Sequence, residues 1–247
     1  MAAHDTLCGW GDRGKVAWFV ENAETMIPCR REQLRLLAEL IPSPRDAAIT
    51  VLDLGTGFGA VTEEILARYP NASTTCIDGS IEMLRIARER LTKYGARVRL
   101  CLADLADAAW RHAAGDSFEA VVSALAIHHL SDERKRALYR EVYELLRPGG
   151  VFLNNDIVAT PPALKTQFEE LALLAIQEQD RLKRGKARPL EEIRAEMRAQ
   201  LQAAGPQHHS QIASLGDQME WLRETNFKSV DCYWKYLELS IFGGTRE

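Results

Sequence analysis

The sequence lacks the features that mark membrane and secreted proteins. No apolar run approaches the roughly 20 residues that a membrane-spanning helix needs. The first residues, from Met1 to Cys8, contain no basic stretch followed by an apolar core, so no secretory signal is indicated. The five cysteines are odd in number and include no C-x-x-C pair, which argues against a disulfide framework. We therefore expect reduced cysteines, no membrane association and a cytoplasmic location.

An excess of positive charge is also missing. The 247 residues carry 31 lysines and arginines against 35 aspartates and glutamates, which gives a net charge of −4. Proteins that bind duplex or transfer RNA normally show a basic footprint, so we do not expect a nucleic-acid partner. The six histidines show no H-x-x-x-H spacing, and no metal site is assigned. With 46% hydrophobic and 27% charged residues, the composition is that of an ordinary globular protein.

The most informative stretch is residues 49–60, an apolar, β-branched run followed by glycines at every second position. The run reads as a buried parallel strand. Gly55, Gly57 and Gly59 allow a sharp turn and a close approach to a ligand, because they have no Cβ. A helix that begins at about Ala60 would point its positive N-terminus at the same loop. A strand, a glycine turn and a helix N-terminus together predict a nucleotide-type site.

The acidic residue before the loop separates this pattern from dinucleotide-binding loops. Those loops read G-x-G-x-x-G, whereas Asp53 here opens a D-x-G-x-G-x-G pattern that also contains Thr56. This variant resembles motif I of the class I S-adenosylmethionine-dependent methyltransferases. A nicotinamide-dependent dehydrogenase is an alternative enzyme on a related fold, and the glycine spacing speaks against it.

Acidic residues follow at the tips of the next two predicted strands. Residues 73–77 read as strand 2, which ends in Asp78. A carboxylate at that tip can accept hydrogen bonds from both ribose hydroxyls of a nucleotide. Residues 98–102 read as strand 3 and are followed by Asp104 and Leu105. The resemblance implies that Asp104 meets the adenine amino group and that the backbone N–H of Leu105 meets the ring.

Two further segments complete the resemblance. Residues 118–125 read as strand 4, and residues 126–130 resemble the segment that follows strand 4 in the family. The turn at 147–150 precedes strand 5, residues 151–158. The resemblance implies S-adenosylmethionine as the cofactor. The cofactor-binding residues that it implies are Asp53, Gly55, Thr56, Gly57, Gly59, Asp78, Gly79, Met83, Asp104, Leu105, Ser123 and Ala124.

The alternation of helix and strand after the glycine loop predicts βαβ units and a parallel sheet. The family that the chain resembles has a Rossmann-like seven-stranded sheet of order 3-2-1-4-5-7-6, with the last strand antiparallel. We expect this α/β fold as a single domain over residues 1–247. A helical cap is expected over residues 1–48 and a helical lid, inserted into the domain, over residues 161–213.

Helix starts and a closing hairpin are also indicated. Ser80 precedes a helical pattern over residues 81–94, and Ser131 precedes another over residues 132–146. Both serines suit the N-cap position, where a hydroxyl accepts a hydrogen bond from an unpaired backbone N–H. Residues 229–242 read as an antiparallel pair of strands.

Methyl transfer from a sulfonium is an in-line displacement in which S-adenosylmethionine supplies the activation. The protein has to hold the acceptor atom behind the methyl group, exclude water and, where needed, take a proton. His128 and His129 are the candidate catalytic bases, since the ordinary pKa of an imidazole is about 6.5. The alternative is that one histidine hydrogen-bonds locally while the other packs on the cofactor. His208 and His209 could reach the cleft from the lid, although a solvated loop is the simpler interpretation.

The sequence therefore predicts a methyltransferase that transfers the methyl group of S-adenosylmethionine to a small-molecule acceptor. Strand 4 lacks the Asp/Asn-Pro-Pro-Tyr motif of enzymes that methylate amino groups in DNA and glutamine. Residues 154–156, Asn-Asn-Asp, resemble the metal ligands of catechol-type O-methyltransferases. The acidic partner after strand 4 is missing, so this resemblance does not lead to a metal site.

Two alternatives keep the fold and change the activity. The layout is also similar to that of the carboxy-S-adenosylmethionine synthases of transfer-RNA modification, which need an arginine to hold the carboxylate. The sequence does not identify that arginine. The other alternative is a cofactor-binding regulator without catalysis. The sequence leaves the acceptor atom and the oligomeric state open, with a homodimer among the states compatible with it.

Overall fold

The computed structural model describes residues 9–204 and 211–247. The strands are β1 (Thr50–Leu54), β2 (Ser73–Asp78), β3 (Val98–Leu102), β4 (Phe118–Ala124), β5 (Leu146–Ile157), β6 (Lys228–Tyr236) and β7 (Leu239–Thr245). The α-helices are α1 (Arg13–Met26), α2 (Arg30–Glu39), α3 (Ala60–Arg68), α4 (Ile81–Leu91), α5 (Trp110–Ala114), α6 (Asp132–Leu145), α7 (Lys165–Arg184), α8 (Leu190–Ala204) and α9 (Leu215–Glu224).

All seven strands form one sheet in the order β3-β2-β1-β4-β5-β7-β6. The first five strands run parallel, and Leu52 of β1, for example, pairs with Thr75 of β2 and Val121 of β4. β7 runs antiparallel to both β5 and β6. The predicted order and the antiparallel last strand are confirmed. Because the strand order reverses between β1 and β4, the crevice at their carboxyl ends is where a sheet of this kind binds ligands.

Hydroxyl caps fix the start of the two helices that flank this crevice. Ser80 and Ser131 each accept a hydrogen bond from the backbone N–H three residues later, at 3.2 Å, at the first turns of α4 and α6. Both predicted N-caps are confirmed. α4 ends at Leu91, earlier than predicted, and the chain continues as a 3-10 turn, Thr92–Arg97.

Two apolar cores cover the two faces of the sheet. One core packs α1, α2 and α3 against the sheet, with Leu37, Ile65 and Val122 fully buried. The other packs α6 and α9 over the opposite face, with Leu138 and Phe152 fully buried. Both faces are therefore closed by helices, and the main cavity lies at the carboxyl edge of the sheet.

The insertion between β5 and α9 packs against α1. Leu173 of α7 and Ile193 of α8 form a small apolar cluster with Met26 of α1. The fully buried carboxylate of Asp180 pairs with Arg188 Nε at 3.0 Å and so fastens the turn between α7 and α8. Within residues 9–204 and 211–247, no helix is both long enough and apolar enough to cross a membrane.

Candidate active site

The three glycines of the loop between β1 and α3 all have positive φ but meet different surroundings. A Cβ on Gly55 would lie 2.2 Å from Cβ of Ala126, and one on Gly59 would lie 2.8 Å from Cδ1 of Leu91. A Cβ on Gly57 would have no atom within 4 Å. Close packing against Ala126 therefore requires glycine at position 55, a Cβ at position 59 would displace the end of the Leu91 side chain, and Gly57 borders open space.

Asp53 supports the loop from beneath. Its side chain is fully buried, and Oδ2 accepts hydrogen bonds from the hydroxyls of Thr56 at 2.7 Å and Thr62 at 2.6 Å. Burial raises the pKa of the Asp53 carboxyl above its ordinary value, against the effect of the two threonine hydroxyls. Asp53 therefore joins the loop to the first turn of α3 and does not line the cavity.

Asp78, at the tip of β2, faces the loop. Oδ2 accepts the backbone N–H of Gly57 at 2.8 Å, and Oδ1 accepts the backbone N–H of Ser80 at 2.7 Å. Burial raises the pKa of Asp78 to about 6, more than the two backbone hydrogen bonds lower it. A carboxylate held by N–H groups on one side has its remaining lone pairs available to a ligand on the other.

A cavity of about 600 Å³ lies in front of these groups. This volume falls within the range of small-molecule sites, about 300–1,000 Å³. Ten of the fourteen predicted site residues line it: Gly55, Thr56, Gly57, Asp78, Gly79, Met83, Asp104, Leu105, Ala124 and His129. Loop, strand tips and the segment after β4 are thus brought together as the sequence predicts.

Four predicted site residues do not line this cavity. They are Asp53, Gly59, Ser123 and His128. The buried hydroxyl of Ser123 donates to the carbonyl of Leu54 at 2.9 Å and so joins β4 to β1. Asp53 and Gly59 shape the loop. Asp53, Gly59 and Ser123 therefore act on the loop and strands behind the cavity wall, and motif spacing does not distinguish such residues from those that line it.

The two candidate catalytic histidines have different surroundings. His128 is buried, with Nδ1 2.5 Å from Oδ1 of Asp156, and its backbone N–H donates to the other oxygen of that carboxylate. His129 lines the cavity, and its Nε2 accepts the indole N–H of Trp10 at 3.2 Å. Because an indole N–H only donates, Nε2 of His129 holds a lone pair in this arrangement. Of the two, His129 is the one placed to meet a ligand.

The N-terminal segment closes one side of the cavity. Trp10 and Phe19 line it and pack edge to face with ring centroids 5.1 Å apart. The carbonyl of Trp10 accepts the hydroxyl of Ser80 at 2.6 Å. The part of the predicted cap over residues 1–8 lies outside the described residues.

The helical insertion expected to act as a lid contributes little to the cavity wall. Of its described residues, only Gln211 lines the cavity, since α7 and α8 pack against α1. His208 and His209 lie outside the described residues. Among residues 9–204 and 211–247, no three His, Cys, Asp or Glu side chains form a group that could hold a metal ion.

Six polar residues of the wall were not predicted from the sequence: Arg30, Gln33, Ser131, Arg134, Asn155 and Gln211. Arg30 and Gln33, one turn apart on α2, line the cavity together with Asn155 of β5. The amide of Asn155 donates to Oε1 of Gln33 at 2.9 Å across 122 positions of the chain. In the sequence Arg30, Gln33 and Asn155 appear only as polar positions on an otherwise apolar face of α2 and within the apolar strand β5. Neither pattern indicates that α2 and β5 meet.

Part of the chain is similar to known methyltransferases. Residues 51–150 match a family model described as a methyltransferase domain. The chain is 36% identical over 103 residues to a ubiquinone/menaquinone biosynthesis C-methyltransferase from Geotalea daltonii, covering 40% of this chain and 42% of the relative. It is 37% identical over 121 residues to a trans-aconitate 2-methyltransferase from Delftia acidovorans, covering 49% and 42%. The chain thus spans less than half the length of these curated relatives.

Solved structures share the fold. An O-methyltransferase family protein from Burkholderia thailandensis superimposes with a TM-score of 0.62 at 18% identity, covering 88% of this chain and 56% of that one. Human N-acetylserotonin methyltransferase, solved with S-adenosylmethionine, gives 0.62 at 13% identity, covering 100% and 60%. The resemblance to the class I S-adenosylmethionine-dependent methyltransferases is confirmed, and S-adenosylmethionine is the cofactor of that family.

Alanine at Gly55 and at Gly57 should have unequal effects on stability. Both glycines have positive φ, so either substitution strains the backbone by about 1–2 kcal/mol. Only Gly55→Ala also forces a Cβ against Ala126, which should lower the free energy of unfolding by a further ~1–3 kcal/mol. Urea denaturation of the two variants measures the difference, and equal losses would contradict the packing assigned to Gly55.

Proposed function

We propose that this chain is an S-adenosylmethionine-dependent methyltransferase with a small-molecule acceptor. One observation carries the proposal: Asp78 and Gly57 are joined by a hydrogen bond at the edge of a cavity of about 600 Å³, beside open space that a side chain at position 57 would fill. A carboxylate at that strand tip suits a ribose diol, and a glycine there lets a ligand lie against the backbone.

The cofactor would be held along the carboxyl edge of the sheet. Asp78 would accept the ribose hydroxyls, and Asp104 with Leu105 would meet the adenine. The loop from Gly55 to Gly57, at the positive end of α3, would hold the amino-acid end. When bound, S-adenosylmethionine supplies an activated methyl group. This arrangement leaves the wall formed by the segment after Ala124 for the acceptor.

The chain's own contribution would be positioning and exclusion of water. Trp10 and Phe19 form an apolar wall, and the hydrogen bonds of Trp10 to Ser80 and His129 hold that wall in place. Orientation of reacting groups in this way can supply roughly 7–11 kcal/mol of the barrier reduction. No further group is required for an acceptor that is already nucleophilic.

A small molecule suits the site better than a macromolecule. The net charge of −4 gives no basic footprint for nucleic acid. Two of the matched relatives are named for trans-aconitate and phosphoethanolamine. A release factor glutamine methyltransferase from Enterococcus faecalis also matches, at 34% identity over 80 residues. At the end of β4 the chain reads Ser123-Ala-Leu-Ala, without the Asp/Asn-Pro-Pro-Tyr motif that glutamine methylation uses.

One observation favours the carboxylated-donor alternative as a second candidate. Arg30 is 8% exposed, lines the cavity and lies with its guanidinium 5.2 Å from the ring centre of Phe58 in the glycine loop. Its ion-pair partner, Glu24, is shared with Arg31, at 3.0 and 3.2 Å. Burial lowers the pKa of Arg30, and the nearby charge of Glu24 offsets this effect only in part. A carboxylate on the cofactor would add a second negative charge beside the guanidinium.

The first prediction from this proposal concerns ligand choice. S-adenosylhomocysteine at 100 times its dissociation constant should stabilise the protein by about 2.7 kcal/mol, whereas NAD should not. Tritiated methyl label should pass from S-adenosylmethionine to acceptors in a small-molecule extract, or to trans-aconitate or phosphoethanolamine tested singly. It should not pass to RNA. If mass spectrometry of the purified protein detects bound S-adenosylmethionine that carries an additional carboxyl group, the second candidate would be favoured. Stabilisation by NAD instead would refute both.

A second prediction concerns pH. With the pKa of Asp78 raised to about 6, the charged form that accepts two hydroxyls is lost as the pH falls through 6. Affinity for S-adenosylhomocysteine, measured by calorimetry from pH 5 to 8, should fall in the same range. Asp78→Asn should bind weakly at every pH. Because the folded pKa lies above the ordinary value of about 3.9, the unliganded wild type should lose stability relative to Asp78→Asn as the pH rises from about 4 to 6.

A third prediction concerns His129 as the catalytic base. If Nε2 takes a proton from the acceptor, the indole N–H of Trp10 must first leave it. His129→Ala should then lower kcat by about 10²–10⁴-fold while affinity for S-adenosylhomocysteine stays unchanged. His112→Ala is the matched control, because His112 is exposed on α5 and does not line the cavity. Unchanged kcat in His129→Ala would remove the base from the mechanism and leave positioning alone.

A further inference from the structure

Asn155 is a buried polar residue of the cavity wall. It lies near the carboxyl end of β5 with only 2% of its surface exposed, and it lines the cavity. Its backbone carbonyl accepts the N–H of Leu125 at 2.8 Å, which fixes β5 to the segment after β4. Leu125 has a φ of 55°, a left-handed conformation that is uncommon outside glycine and is often found at functional sites.

A chain of hydrogen bonds determines which atom of the Asn155 amide has no hydrogen-bond partner within the protein residues that the structure describes. The carbonyl of Pro28 can only accept, so it requires the Nε2 group of Gln33, which lies 2.5 Å away. Gln33 therefore presents Oε1 to Nδ2 of Asn155, at 2.9 Å. Oδ1 of Asn155 is directed elsewhere and has no hydrogen-bond partner among residues 9–204 and 211–247.

A buried acceptor oxygen such as Oδ1 of Asn155 needs a hydrogen-bond donor. Buried polar atoms in folded proteins are almost always hydrogen-bonded, and exceptions need a specific explanation. Oδ1 belongs to a side chain that faces a cavity, beside the segment whose Ala126 packs on Gly55 of the loop. A ligand that fills the cavity can supply the missing donor.

We propose that Oδ1 of Asn155 accepts a hydrogen bond from an O–H or N–H group of a ligand bound in this cavity. The inference rests on the proposed function and adds a chemical requirement to it. Two bound molecules could carry the donor: the α-ammonium group of the cofactor's amino-acid end, or a hydroxyl or amine of the acceptor. Gln33 holds the amide in the orientation that makes this contact.

The neighbouring residue offers a matched control. Asn154 is also an asparagine and is fully buried, but it projects to the opposite face of the sheet and does not line the cavity. Asn155→Leu and Asn154→Leu keep a branched side chain of similar size while removing the amide. The pair Asn155→Ala and Asn154→Ala covers the case in which leucine does not fit.

Two nucleosides separate the sources of the donor. S-adenosylhomocysteine has the amino-acid end, and 5′-methylthioadenosine lacks it. Titration calorimetry gives the affinity of each variant for both. A small-molecule extract, used as the acceptor pool with tritiated S-adenosylmethionine, gives the dilution at which methyl transfer is half-maximal.

If the cofactor carries the donor, Asn155→Leu should weaken S-adenosylhomocysteine binding by about 10–100-fold and leave 5′-methylthioadenosine binding unchanged. If the acceptor carries it, both nucleosides should bind as before, and half-maximal transfer should require about tenfold more extract. Either result supports the proposal, provided that the Asn154 variant matches the wild type.

Two results would overturn it. Asn155 and Asn154 variants that agree within about twofold in every measurement would show that no ligand uses Oδ1. An equal loss for both nucleosides would contradict the assignment of the donor to the α-ammonium group or to the acceptor, since 5′-methylthioadenosine supplies neither. A wild-type protein that binds neither nucleoside would contradict the proposed function itself, which separates that failure from the failure of this inference.

Discussion

The hydrogen bonds of the Asp78 carboxylate are the constraint on which the rest of the site depends. One oxygen holds the N–H of Gly57 in the loop after β1, and the other holds the N–H of Ser80 at the start of α4. Ser80 in turn caps α4 and donates its hydroxyl to the carbonyl of Trp10. Trp10 reaches His129 on the far wall. A single carboxylate thus joins the loop, the second strand tip and the N-terminal segment that closes the cavity.

Desolvated carboxylates and strained backbone at the site lower the stability of the folded chain. Asp53 is fully buried and Asp78 is half-buried; desolvation raises the pKa of both carboxyl groups, and the charge of Asp53 raises that of Asp78 further. Leu125 adopts a left-handed conformation between β4 and His128. Strained backbone and perturbed acids occur together at ligand sites, where the surrounding structure over-determines them. In this chain the packed cores on both faces of the sheet provide that support.

Local patterns made the strands, the glycine loop and Asp78 predictable, because each depends on residues close together in sequence. The wall formed by Arg30, Gln33 and Asn155 was not predictable, since it requires α2 to lie over β5. The partner of His128 was missed for the same reason: Asp156 lies on β5, 28 residues further along the chain. The cap and lid boundaries, the cofactor roles of single residues, the cytoplasmic location and the oligomeric state stay predictions.

The most direct measurement of the central claim is a crystal structure of the chain with S-adenosylhomocysteine. We expect ribose hydroxyls within hydrogen-bond distance of the Asp78 carboxylate and the amino-acid end against Gly55 to Gly57, with the Gly57 N–H still bonded to Asp78. A nucleoside bound elsewhere, or one whose ribose does not meet Asp78, would contradict it.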